Sequence, residues 1–191
     1  MTADDEWIRD GGRVCLDFVN TLRDRWAVPR ETLQEPDDLL RWLRGAGLLT
    51  QDADADTGAL APARSLREAI DRAVLSVAGG GLPGPADVRT INEAVRAAPR
   101  PLLQLLVRDG RLEAASAQGL AGDVAAGLGL VARDAAELLL SPEVKRVRVC
   151  GSDRCGLRFV DRSQAGRRRW CSMSRCGNRT KVRRHQRRAQ K

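Results

Sequence analysis

Four cysteines near the C-terminal end constrain this chain more than any other feature. Cys150 and Cys155 form C-x4-C, fifteen residues follow, and Cys171 and Cys176 form a second C-x4-C. Two short pairs of soft thiolates separated by a spacer of this size are a tetrahedral-zinc arrangement. Each pair supplies two donors from one local turn, so the spacer must fold back to unite them. The plain alternatives are four unrelated thiols or two disulfides. Regular spacing, and a segment too small to build its own core, argue against both. Four cysteines leave no open position for a catalytic water, so one structural zinc ion is the expected cofactor.

The spacer "GLRFVDRSQAGRRRW" predicts a hairpin, with a strand over 157–160, a loop over 163–166 and then a return strand. Ser172 or Ser174 is placed to cap a helix beginning near the second pair, whose N-terminal dipole favours thiolates. Knuckle, hairpin and helix together make a treble-clef or zinc-ribbon-like module. Phe159, Trp170 and Val182 are its expected apolar contacts. His185, nine residues past Cys176, is expected to face solvent rather than metal. Cys15 lies in an apolar segment and reads as a small buried core residue.

Charge follows the same division. The chain carries a formal +8, yet residues 150–191 hold 14 Lys and Arg against 2 Asp and Glu, a net of +12. The remaining 19 basic and 23 acidic residues leave 1–149 at −4. A basic end on an acidic body is a contact surface for a polyanion. Its residues are Arg167, Arg168 and Arg169 on the spacer, then Arg175, Arg179, Lys181, Arg183, Arg184, Arg187 and Arg188 on the expected helix. Arginine suits phosphate because its fork binds bidentately. Exposed aromatics for stacking on unpaired bases are scarce, which leans toward duplex DNA over RNA. Asn178 reads as a local brace of the knuckle more than a base reader. Gly177 lets backbone approach the metal shell.

The first 149 residues read mainly as helices, in keeping with a core built from Leu, Val and Ala with 3% aromatics. "RVCLDFVNTL" places Val14, Phe18 and Leu22 on one stripe. "PDDLLRWLRGAGLL" opens on Pro36 and buries Leu39, Leu40, Trp42 and Leu43. "APARSLREAIDRAVLSVAGGG" repeats Ala63, Leu66, Ile70, Ala73 and Val77, and three glycines stop it. "GPADVRTINEAVRAA" points Val88, Ile91 and Val95 inward. Asp109-Gly110 between apolar runs signals a hairpin. A last helix carries Leu120, Val124, Leu128, Val131, Ala135 and Leu138, with internal glycines counting against it, before Pro142 and a strand in "VKRVRVC".

The expected architecture is therefore α+β: a helix-rich domain with a small hairpin over 1–142, and a zinc module with a basic helix over 143–191. The acidic stretch 50–62 lacks the glycine and glutamate of a calcium loop and reads as a loop leading into a helix cap. The body offers no histidine, nucleophile–base pair or phosphate loop, so no catalytic residues and no enzyme are expected. Asp17 and Asn20 are its one polar cluster inside an apolar helix, and read as buried anchoring groups. No apolar run reaches the roughly 20 residues that span a bilayer, and "MTADDEWIRD" is acidic where a secretory signal is basic. No membrane partner is expected. The expected location is the cytoplasm, and the nucleoid when bound to DNA.

"WCSMSRCGNRTK" resembles the signature of the CGNR zinc-finger family, and "CGSDRCGLRFVDRSQAGRRRW" matches the same module. "VCLDFVNTL" and "PDDLLRWLRGAGLL" resemble the ABATE domain that usually precedes this finger. The resemblance spans nearly the whole chain. It is most specific at the C-terminus and looser between 50 and 145. It implies a mixed α/β N-terminal domain, zinc on Cys150, Cys155, Cys171 and Cys176, and a stress-linked bacterial transcription regulator. The N-terminal domain would then sense a small molecule or form a homodimer. A protein-interaction adaptor or an RNA-binding protein is the alternative use of the basic helix.

Overall fold

The computed structural model describes residues 7–99, 103–116 and 120–178. Its first helix, α1 (Val14–Val19), buries Cys15, Leu16, Phe18 and Val19. The helix stops early for a local reason. The Thr21 hydroxyl donates to the Phe18 carbonyl at 2.7 Å, competing with the backbone ladder. Leu22, expected on the helical stripe, instead begins β1 (Leu22–Arg23), which pairs antiparallel with β2 (Arg30–Glu31).

Helix α2 (Pro36–Gly45) follows its sequence pattern closely. Pro36 occupies the first turn, Glu35 and Asp38 form a reciprocal capping box, and Leu39, Leu40, Trp42 and Leu43 are buried. Trp42 packs on Phe18 with ring centroids 5.1 Å apart. Helix α3 (Leu60–Ala78) buries Ala63, Leu66, Ile70, Ala73 and Val74. Helix α4 (Pro85–Arg96) buries Ile91 fully, leaves Val95 half-buried, and exposes Val88 against expectation. Only one side of this short helix meets α3 and α5, and Val88 lies off it.

Strands β3 (Leu103–Arg108) and β4 (Arg111–Ser116) form the expected hairpin, with Arg108 opposite Arg111. Asp109 and Gly110 both have positive φ, 53° and 73°, the backbone of a two-residue type I′ turn. Helix α5 (Val124–Leu140) starts later than its apolar pattern, because Asp123 caps it by accepting from the Ala126 N–H at 2.7 Å. Leu120 is thereby left outside the helix and exposed. The neighbouring Ala121 bridges to Leu49 in parallel. The internal glycines of α5 have a purpose: a Cβ on Gly129 would meet the Ala98 backbone nitrogen at 2.4 Å. The close approach of α4 to α5 requires a residue without a side chain.

A 3₁₀ turn (Pro142–Arg146) leads from α5 into β5 (Val147–Val149), which pairs antiparallel with β6 (Arg158–Val160). Val147 and Val160 belong to the main apolar core with α1, α3 and α5. A smaller cluster holds Ile8, Leu157 and Phe159 with Cys150, Cys171 and Cys176. Among the described residues, no helix is long and apolar enough to cross a membrane.

Polar groups lock β6 to the body. The Asn20 side-chain amide donates to the Arg158 carbonyl at 2.9 Å, and its oxygen accepts the Arg158 N–H at 2.8 Å, so it serves β6 as one residue of a neighbouring strand. The Arg158 guanidinium reaches Asp71 of α3 through two bonds of 2.7 and 2.8 Å. The Val160 N–H donates to Gly11 at 2.9 Å. Asn20→Ala would leave two buried backbone groups of β6 without partners, a loss of roughly 2–6 kcal/mol at about 1–3 kcal/mol each. Asp71→Ala would strand a buried guanidinium, costing about 3–5 kcal/mol. Urea denaturation of the zinc-loaded protein measures both. Losses below about 1 kcal/mol in both variants would show that the clamp contributes little to stability.

Candidate metal centre

The two knuckles arise from short backbone turns. Between β5 and β6 the Cys150 N–H donates to Leu157 at 2.8 Å and the Cys155 N–H to Ser152 at 3.2 Å. This turns both sulfurs to the same side. Gly156, with φ at 68°, completes the turn. The second knuckle opens on Ser172, whose hydroxyl accepts from the Arg175 N–H, and whose carbonyl accepts from Cys176 and Gly177 at 3.0 and 3.1 Å. Of the two serines proposed as caps, Ser172 serves. The wide turn Met173–Gly177 that follows presents Cys176 to the first knuckle.

The spacer joins the knuckles without the predicted return strand. Strand β6 pairs backward with β5, so the hairpin is closed by the first knuckle itself. Residues 161–172 return as an irregular segment. Two backbone contacts dock it: the Gly151 N–H donates to Arg169 at 2.9 Å, and the Cys171 N–H points at the Cys150 sulfur at 3.4 Å. Asp161 supports it from inside, accepting from the backbone of Ser163 and Arg168 at 2.9 and 2.8 Å and from the Ser163 hydroxyl. The Ser163 hydroxyl, with these backbone donors, holds the Asp161 carboxyl down at about 2.

The four cysteine sulfurs lie within 4.8 Å of one another. Cys171 is 3.7 Å from both Cys155 and Cys176. Four thiolates held tetrahedrally about 2.3 Å from one zinc ion have sulfurs about 3.8 Å apart, so the spacing fits that ion. The chemistry agrees. Hydrogen bonds from Cys155 and Cys171 pull Cys150 down to about 2. The same sulfur bonding, with the charge on Cys150, pushes Cys155 up to about 12 and Cys171 up as well. Four thiolates share this volume only when a cation compensates them. Cys150, Cys155, Cys171 and Cys176 would hold one structural zinc ion, four thiolates being a full tetrahedral ligand set.

The basic residues divide by role. The Arg168 guanidinium lies 4.9 Å over the Phe159 ring and donates to the carbonyls of Trp170 and Cys171. Arg169 lies 5.1 Å over Trp170, Arg167 is exposed, and Arg175 pairs with Asp10. Arg179, Lys181, Arg183, Arg184, Arg187 and Arg188 lie outside the described residues, as do Val182 and His185. Asn178 ends the wide turn with its side chain exposed. A Cβ on Gly177 would come within 2.8 Å of Met173 and 3.2 Å of Trp170.

Cys15 is fully buried, as expected. The polar pair on α1 serves as anchors: Asn20 holds β6, and Asp17 accepts the Gly11 N–H at 2.8 Å. Sequence reasoning missed Asp71 and Trp26. Trp26 covers Gly156, where a Cβ would meet its ring at 2.6 Å. Asp71 is buried at the edge of the α3 face beside Arg67, off the apolar stripe read from the sequence, so no local signal marked it.

Residues 12–142 match the ABATE family, described as "putative stress-induced transcription regulator", and residues 146–189 match the CGNR zinc finger. Comparison with curated proteins returns no significant match.

Two outcomes test the site. The purified protein should carry one zinc per chain on four thiolates, and Cys176→Ser should lose it, as metal analysis and sulfur-edge absorption would show. Burial raises Asp17 to about 6, so its ionised form is disfavoured in the fold. Its penalty is complete above that value and is relieved as pH falls from 6 toward 4. Asp17→Asn should therefore gain stability over the parent at pH 7, and the gain should shrink toward pH 4. A difference independent of pH, in parallel denaturation series, would contradict this.

Proposed function

Because the chain belongs to the ABATE family and ends in a CGNR zinc finger, we propose that it is a non-catalytic transcription regulator that binds duplex DNA through its C-terminal basic segment. The observation that carries this reading is where that segment begins. The second knuckle ends at Asn178, and seven of the following thirteen residues are Lys or Arg. Metal binding supplies folding free energy that a small core lacks, so the centre is a rigid base for a cationic segment. Exposed Arg167 adds to the same basic module. Arg168 is better suited to bracing, since its guanidinium already satisfies two carbonyls. On this reading the protein works in the cytoplasm at the nucleoid. The N-terminal domain supplies the signal-sensing or dimerising part.

Mounting and contact separate experimentally. Cys176→Ser should lose zinc and specific binding together, while the loose charged tail keeps weak binding. Arg183→Ala combined with Arg187→Ala should keep zinc, weaken binding across sequences, and lower the log–log salt slope by about two. Affinity against salt concentration on mixed-sequence duplex DNA is the measurement. An unchanged slope with zinc retained would leave these arginines uninvolved. Salt-insensitive DNA binding displaced by an acidic protein would instead favour an adaptor.

A further inference from the structure

The four thiols differ in what shields them. Cys150, Cys171 and Cys176 are buried, whereas Cys155 is partly exposed. A cleft of ≈ 520 Å³ opens between the β1–β2 loop and the two knuckles. Cys155, Cys171 and Cys176 line it, and Cys150 stands outside its lining. Arg23, Arg154 and Arg175 also line this cleft, with Ala27 and Val28 at its rim. The cleft therefore gives a small solute a path to three of the four sulfurs.

We propose that Cys155 is an oxidation site, and that a hydroperoxide entering the cleft converts Cys155 and Cys171 to a disulfide, discharging the metal. The Cys155 thiolate attacks one oxygen of hydrogen peroxide. An S–O bond forms, the O–O bond breaks, and hydroxide leaves, giving the sulfenic acid. The Cys171 thiolate then attacks the Cys155 sulfur. An S–S bond forms, the S–O bond breaks, and a second hydroxide leaves. Two thiolates have lost two electrons and one peroxide has gained them. Cys171 is placed for the second step, its sulfur 3.7 Å from Cys155. Closing to the roughly 2.05 Å of a disulfide takes less than 2 Å of movement.

Half the ligand set is then gone. The second knuckle and the basic segment beyond it lose their mount, so oxidation releases nucleic acid. That last consequence rests on the proposed function; the thiol chemistry does not.

The test uses the full zinc-loaded chain with one equivalent of hydrogen peroxide. A zinc chromophore follows metal release, and mass spectrometry of unreduced peptides follows disulfide formation. One zinc should appear per disulfide, the first linked pair should be Cys155–Cys171, and reductant with zinc should restore the starting state. Ala27→Trp, which narrows the cleft without touching a ligand, should retain zinc and release it more slowly. Zinc retention under excess peroxide would overturn the proposal. So would first oxidation at Cys150, or a release rate unchanged in Ala27→Trp. DNA binding is measured separately on the same samples. Zinc release and the Cys155–Cys171 bond in a protein that never bound DNA would sink the proposed function and leave the oxidation site standing.

Discussion

Arg158 carries a guanidinium into the protein at 8% exposure, against Asp71 at 6%. Burying two charges costs several kcal/mol each in desolvation, and their attraction recovers this only with good geometry. The geometry here is good. The planar fork meets both carboxylate oxygens, and Asn20 satisfies the backbone on either side of the same residue. A bidentate pair has few orientations that work. The result is that β6 has one register against α1 and α3. Cys155 lies three residues before Arg158, so the clamp also places the first knuckle. The metal centre thus inherits its position from an ion pair outside it.

The arginines of the C-terminal part are consequently not a uniform cationic coat. Arg158 is internal, Arg168 holds the spacer against the second knuckle, Arg162 pairs with Glu143, and Arg175 pairs with Asp10. Counting basic residues overstates the charge facing outward. It also locates the remainder. Seven of the thirteen residues after Asn178 are basic and none is acidic. A bracing arginine and a phosphate-binding arginine are the same residue type, and only the carbonyls around Arg168 tell them apart.

That explains what was legible in the sequence. Local signals carried through: the Pro36 start of α2, the stripe of α3, the turn at Asp109-Gly110 and the two cysteine knuckles all depend on neighbours within a few positions. Signals whose cause is distant did not. Asn20 and Arg158 are separated by most of the chain, and nothing near either one announces the other. Gly129 looked like a weak point in a helix because its reason, the backbone of Ala98 just past the end of α4, lies about thirty residues away in the sequence. The return strand failed in a different way. Both strands flanking the first knuckle were read, but β6 was paired forward across the spacer. A C-x4-C turn already reverses the chain, so pairing backward onto β5 closes a shorter loop.

Metal and body are joined in both directions. The small cluster around the sulfurs includes Ile8, which precedes α1, so the chain's first described residues depend on the centre as much as on the main core. In return, Val147 and Val160 tie the finger's hairpin to the core of the helices. Trp26, 58% exposed, reaches from the β1–β2 loop onto Gly156 and leaves the cleft beside it. An event at the sulfurs therefore has three routes into the body: the Ile8 segment, the β5–β6 hairpin and the Trp26 loop. The hairpin is held by buried groups, while the Trp26 loop ends in exposed ones. Local opening draws on the less buried contacts first. A disturbance of the knuckles would accordingly reach the Trp26 loop before it disturbs β6, and the Arg158 clamp would keep the body folded while the finger's contact surface changes.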